Sequence, residues 1–133
     1  MRRDEQPIQV LIAEDNCDLC AALCELILSQ SDMNVAGTVA RVPELLEMLP
    51  STTAQVLILD LDLAGQSSIP ALQAFRTAHP RRAIVVYSGY DPGSLGPVFA
   101  SVGECEYVTK TGDGQELLDA IRRGARKAAG AGT

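Results

Sequence analysis

Residues 55–67 read QVLILDLDLAGQS, and they decide the fold. Gln55 to Leu59 is an almost wholly apolar run, too short for a buried helix and rich in branched side chains, as in a central parallel strand covered on both faces. The run ends on a carboxylate, Asp60, with a second acid at Asp62. Ala64 to Ser68 then form a loop in which Gly65 permits a tight bend and the serines suit the cap of a following helix. In an open parallel α/β sheet the chemistry lies in the crevice beyond the carboxyl ends of the strands. Asp60 is therefore a candidate reacting or metal-binding group. A strand-end aspartate also serves simply to cap the next helix, and this stretch alone leaves both readings open.

Working outward, Ile8 to Ala13 is a second run of buried-strand character that also ends on acids, Glu14 and Asp15. Asn16 or Asp18 then caps a helix through about Ser29, with Leu19, Leu23, Leu26 and Ile27 at helical spacing. Met33 to Ala40 reads as a weaker strand, and Val42 to Leu49 as a short helix with Pro43 in its first turn. Beyond the Asp60 loop, Ile69 to His79 carries Leu72, Phe75 and Ala78 at helical spacing. Ala83 to Tyr87 is another apolar strand, ending at Ser88-Gly89. Residues 91–102 are helical by position but weakened by Gly93, Gly96 and Pro97. Cys105 to Thr109 is the last strand and leads to Lys110. Gln115 to Ala128 is a final amphipathic helix with Leu117, Leu118 and Ile121 inward. Strands alternating with helices predict an α/β doubly wound (βα)5 layer structure over residues 8–128, with tails at 1–7 and 129–133.

The 133 residues suffice for one domain with its own core. Apolar residues make up 47% and aromatics 4%, so Leu, Ile, Val and Ala must build that core. A formal net charge of -6 argues against direct contact with a nucleic-acid backbone, which needs clustered positive charge. No run approaches the roughly 20 apolar residues of a membrane span, so a cytoplasmic protein without membrane contact is expected. Cys17, Cys20 and Cys24 lie along one side of the first helix and read as reduced thiols flanking the core, with metal or redox roles as the lesser reading. His79 reads as a solvated helix cap. Arg122, Arg123, Arg126 and Lys127 read as cations offsetting the last helix dipole.

The strand ends thus deliver Glu14, Asp15, Asp60, Ser88 and Lys110 to one sheet edge. Three carboxylates repel one another unless a hard divalent cation, Mg2+ above all, joins oxygen ligands and waters there. A hydroxyl and an ammonium opposite that ion suit an incoming phosphoryl group, with a carboxylate as nucleophile. In this ordered set the chain resembles the receiver domain of two-component response regulators, over about residues 8–128. Glu14-Asp15 is similar to the family's acidic pair, Asp60 to its phospho-accepting aspartate, Ser88-Gly89 to its switch pair, Lys110 to its lysine and Tyr107 to its switch aromatic.

The resemblance implies a flavodoxin-like sheet in the order 2-1-3-4-5. It implies that Asp60 accepts a phosphoryl group from a sensor histidine kinase. Asp15, Asp60 and the backbone carbonyl of Asp62 hold Mg2+, with Glu14 acting through water. Lys110 and Ser88 bind phosphoryl oxygens, and Tyr107 turns as Ser88 moves. The chain is then a phosphorylated regulator rather than an enzyme. Its last helix is similar to those of LuxR/NarL-type regulators, which implies a DNA-binding output module elsewhere, a homodimer among its assemblies, and either a stand-alone receiver or the regulatory half of a longer protein. Ala64 and Thr111 stand where the family commonly has proline, and Glu104 and Glu106 add negative charge near the output surface. Two alternatives stay open: LILDLDLAG also resembles the first motif of haloacid-dehalogenase-type phosphatases, and a degenerate receiver could act as a phosphorylation-independent binding module.

Overall fold

The computed structural model describes residues 6–89, 103–110 and 113–131. In chain order the elements are β1 (Ile8–Ala13), α1 (Cys17–Leu28), β2 (Met33–Val39), α2 (Val42–Met48), β3 (Val56–Leu59), β4 (Asp62–Leu63), β5 (Gln66–Ser67), α3 (Ile69–Ala78), β6 (Ala83–Ser88), β7 (Glu106–Thr109) and α4 (Gly114–Ala131). Five strands form one sheet in the order β2-β1-β3-β6-β7, all neighbours parallel. With the two short strands β4 and β5 set aside, this is the expected 2-1-3-4-5 order. The expected helix at 91–102 lies outside the described residues.

Alternation along the strands sorts the core into two layers. Leu11, Leu57, Leu59, Ile84 and Val86 pack against Leu45 of α2 and against Ala71, Leu72 and Phe75 of α3. Val10, Ile12, Ile58 and Val85 pack on the other face against Leu23 and Ile27 of α1 and against Leu117, Leu118 and Ile121 of α4. β3 is buried at every position, as its unbroken apolar run requires. One irregularity interrupts the β1–β2 ladder: Val10 pairs with Val35 but Leu11 pairs with Gly37, so Ala36 is the extra residue. Gly37 lets Met48 of α2 lie against the strand, because a Cβ there would stand 2.9 Å from the Met48 methyl carbon.

Several boundaries and roles differ from the sequence reading. Asn16 rather than Asp18 caps α1, accepting the Leu19 N–H at 3.0 Å. Ala78 is exposed, and the buried face of α3 is carried by Ala71, Leu72 and Phe75. His79 is the C-cap of α3, its N–H donating to the Phe75 carbonyl at 2.8 Å, but it is half-buried rather than solvated: its Nε2 lies 2.7 Å from the Leu49 carbonyl and its ring stacks at a tilt on Phe75, tying α3 to the end of α2. α4 continues past Ala128 to Ala131, into the stretch expected as a tail. Consequently Arg122, Arg123, Arg126 and Lys127 are not last-turn cations. Arg122 instead forks onto Asp32, at 2.8 and 3.0 Å, and Arg123 and Lys127 pair with Glu106 of β7. Lys127 also reaches Glu104, so the two unusual glutamates are neutralised within the chain.

Candidate functional site

The order of the sheet reverses direction at β1, from which the chain runs outward to β2 and then returns across to β3. Such a switch point opens a crevice at the carboxyl ends of the two central strands. Ala13 pairs with Leu59, and the Asp60 amide donates to the Ala13 carbonyl at 3.2 Å. That ladder contact brings the acids following β1 and the acid following β3 side by side. Glu14, Asp15 and Asp60 each present a carboxylate oxygen, and these oxygens lie within 4.8 Å of one another. On the far side β6 pairs with β7, and the Lys110 amide donates to the Ser88 carbonyl at 3.0 Å, which returns Lys110 to the same edge.

Lys110 is the local countercharge. Its Nζ donates to Asp60 Oδ2 at 2.6 Å and lies 2.9 Å from Glu14 Oε1. The second contact is a close ion pair rather than an aligned hydrogen bond, so Glu14 Oε1 is buried without a well-directed donor. Beneath the ammonium lies the Tyr87 ring, 6.0 Å from Nζ to centroid. Burial pulls the Lys110 ammonium downward, but its close contacts with the Asp60 and Glu14 carboxylates outweigh that and hold its pKa above 10.5. Burial raises Glu14 above the ordinary carboxylate value despite the lowering by Lys110 and by the Asn16 N–H. Asp15 is exposed and held below its ordinary value, first by the Ala64 N–H, which it accepts at 2.9 Å.

That Ala64 contact was not legible in the sequence. Residues 62–67 are not a plain loop but a two-stranded hairpin, in which Asp62 pairs with Ser67 and Leu63 with Gln66. Ala64 takes φ of 53° and Gly65 takes 81°, so an alanine occupies a left-handed position normally given to glycine or asparagine. Proline could not stand there, because its φ is fixed near -65° and it has no N–H to give Asp15. The serines do stand at the start of α3, with Ser68 as its N-cap residue, but the capping bond comes from Ser67. The Ser68 hydroxyl is buried and donates to the Asp60 carbonyl, while Ser67 Oγ accepts the Ile69 N–H at 3.3 Å. The Asp62 carboxylate accepts the Gly65 N–H at 2.9 Å and so serves the turn, and the Asp62 N–H donates to Asp60 Oδ1 at 3.2 Å. Asp60 is thereby oriented from three directions while remaining 8% exposed.

Ser88, at the end of β6, is buried, and Tyr107 of β7 sits opposite Val86 on the same face of the sheet as Ser88. The Tyr107 hydroxyl is buried.

The model of the response regulator receiver domain family matches residues 10–122 of this chain. The chain is a receiver domain of that family. The receiver is 28% identical over 128 residues to the transcriptional regulatory protein YxjL of Bacillus subtilis, covering 95% of this chain and 57% of that protein. It is 27% identical over 122 residues to the nitrate/nitrite response regulator NarP of Escherichia coli, covering 90% and 56%. The receiver thus spans a little over half the length of these LuxR/NarL-type relatives. Its fold matches the CheY-like receiver domain protein of Methanospirillum hungatei at a TM-score of 0.84 and 15% identity, covering 95% of this chain and 99% of that one. The family match sets aside the phosphatase resemblance of LILDLDLAG. Among the described residues no helix is long and apolar enough to cross a membrane.

The acidic edge also fits a hard cation on its own geometry. Its donors are carboxylate oxygens, the type that Mg2+ selects, they converge from two strands, and Glu14 holds a buried oxygen lacking a well-aligned donor.

Proposed function

We propose that Asp60 is the phospho-acceptor of a two-component receiver, charged by the phosphohistidine of a sensor histidine kinase. The observation that carries this reading is the ammonium of Lys110 at 2.6 Å from Asp60, at an edge where Glu14 and Asp15 also converge. An Asp60 carboxylate oxygen attacks phosphorus, the O–P bond forms, and the N–P bond to the donor imidazole breaks with its electron pair returning to nitrogen. Lys110 releases Asp60 and follows the charge onto a phosphoryl oxygen, and the Ser88 hydroxyl donates to another. The Ser68 and Asp62 contacts hold Asp60 in place throughout.

Asp15, Asp60 and the backbone carbonyl of Asp62 would hold Mg2+, with Glu14 assisting through water. The ion, when bound, neutralises the crowded carboxylates and the phosphoryl charge. As Ser88 moves to the phosphoryl group, Tyr107 on the same sheet face repacks, and the surface around β7 and α4 changes state. The receiver is a regulator rather than an enzyme. The name of YxjL, a transcriptional regulatory protein, supports an output through a DNA-binding module, with the receiver itself avoiding nucleic acid by its net charge of -6 and pairing with a second copy when phosphorylated. A cytoplasmic location follows from that role.

Intact-mass measurement after incubation with acetyl phosphate and Mg2+ tests the reading. Wild type should gain a single phosphoryl group and Asp60→Asn none. Equal uptake by the variant, or no uptake by wild type, overturns it.

A further inference from the structure

The acidic edge is not the only group of metal-ligating side chains. Between α1 and α2 runs a groove of about 780 Å³, whose upper end is formed by Glu14 and Asp15 and whose α1 wall carries Cys17, Cys20 and Cys24. Met48 of α2 also borders the groove, but it packs in the other core layer, against Gly37, and is not a partner of the cysteines. All four cysteines of the chain are free thiols. Cys17 is exposed, whereas Cys20 and Cys24 are half-buried, packed against the edge of the α1–α4 core while still lining the groove.

Helix geometry decides which of these sulfurs can act together. Residues three or four apart hold their Cβ atoms about 5–6 Å from each other on one face. Cys17 and Cys24 are two turns apart, roughly 10.5 Å along the axis, too far for a single ion with metal–sulfur bonds of about 2.3 Å. Hence no three-thiolate centre is available, and a structural zinc site, which wants four N or S ligands, is excluded by ligand count. Cys17 could also reach Cys20, at i+3, but it is exposed, whereas Cys20 and Cys24, at i and i+4, are both half-buried and sense one another: the Cys20 thiol is pushed up by burial first and by its Cys24 neighbour second. Two thiolates are soft donors, and they suit an ion that accepts two sulfur ligands.

We propose that Cys20 and Cys24 form a binding site for one soft, thiophilic cation of the Cu(I) class, at the floor of the α1–α2 groove and separate from the hard-cation edge above it. Binding forms two metal–sulfur bonds and releases the two thiol protons to solvent, with no change of oxidation state. The two sites sort cations by ligand type, oxygen above and sulfur below, so neither ion displaces the other. Cys105 lies in a different cleft, lined by Arg76 and Glu106. It therefore serves as an internal control, as does Asp60, on which this site does not depend.

The test is anaerobic titration of the full chain with Cu(I) against a chromophoric Cu(I) chelator, followed by the thiolate-to-copper charge-transfer absorption. Wild type, Cys105→Ser, Cys17→Ser and Asp60→Asn should each bind one ion per chain with the same affinity, with or without excess Mg2+. Cys20→Ser and Cys24→Ser should each bind more than about 100-fold more weakly, beyond what loss of an outer contact produces. Cys24→Ala, with circular dichroism to confirm the fold, guards against a serine that fails to pack. Retained affinity in a variant carrying both Cys20→Ser and Cys24→Ser, equal loss in Cys105→Ser, loss in Cys17→Ser with Cys24→Ser unaffected, or displacement by Mg2+ would overturn the site. Failure of phosphorylation at Asp60 leaves it standing, because the readouts differ.

Discussion

Glu14 is the residue where opposing effects are most evenly set. It is 3% exposed, Lys110 stands 2.9 Å from it, and burial still wins, raising its pKa above 4.5. The folded state therefore binds a proton at Glu14 more tightly than the unfolded chain does. Glu14 favours folding below the unfolded value and loses that contribution as pH rises through the folded one. Glu14→Gln should accordingly raise the urea midpoint at pH 7 in EDTA, and the gain should vanish below about pH 4.3, where the wild-type carboxyl is neutral in both states. A variant less stable than wild type at pH 7 would mean that the Lys110 pair outweighs desolvation. Ala64 is the second residue of this kind. Ala64→Pro removes the N–H given to Asp15 and cannot adopt φ of 53°, so a loss of about 2–3 kcal/mol is expected by urea unfolding. Ala64→Gly keeps both features and should stay within about 1 kcal/mol of wild type. Similar losses in both variants would show that the alanine methyl, not backbone geometry, decides the position.

At the scale of elements, the ends of the helices are tied by side chains that periodicity does not reveal. Arg122 of α4 forks onto Asp32 and reaches Gln30 at 2.8 Å, joining α4 to the turn between α1 and β2. The Arg122 hydrogen bond holds Asp32 below its ordinary 3.8. A depressed carboxylate contributes stability above its unfolded pKa and loses it as pH falls through the folded value. Both side chains are partly exposed, so a double-mutant cycle on Asp32→Asn and Arg122→Gln should give a coupling of only about 0.5–1 kcal/mol at pH 7. It should fade toward zero below pH 3.8, the unfolded Asp32 value. A coupling that persisted there would point to hydrogen bonding independent of the carboxylate charge.

At the scale of the whole molecule, the sheet edge gathers negative charge that folding alone neutralises incompletely, with one ammonium facing Glu14 and Asp60. A cation that binds only the folded state must then stabilise it by mass action. Differential scanning calorimetry should show a melting temperature that climbs with the logarithm of Mg2+ concentration. The stabilisation should reach about 2.7 kcal/mol at a hundredfold excess over Kd. Asp15→Asn combined with Asp60→Asn should abolish the dependence. The same slope in wild type and double variant would place the ion elsewhere.

Much of this was written into the chain. The apolar runs at 10–13, 56–59 and 83–87 are hidden as strands because no other local structure hides so short an unbroken run, and their acidic or hydroxyl endings mark one edge by connectivity alone. The spacing of Leu23 and Ile27, and of Leu117 and Ile121, assigned the inner faces of α1 and α4 for the same reason. What the sequence could not determine were the contacts between elements remote along the polymer: Ala64 on Asp15, Ser68 on the Asp60 carbonyl, His79 on Leu49 and Arg122 on Asp32. Local patterns report which face of an element avoids water. Which polar group meets which depends on how the elements pack, and only the assembled fold sets those distances.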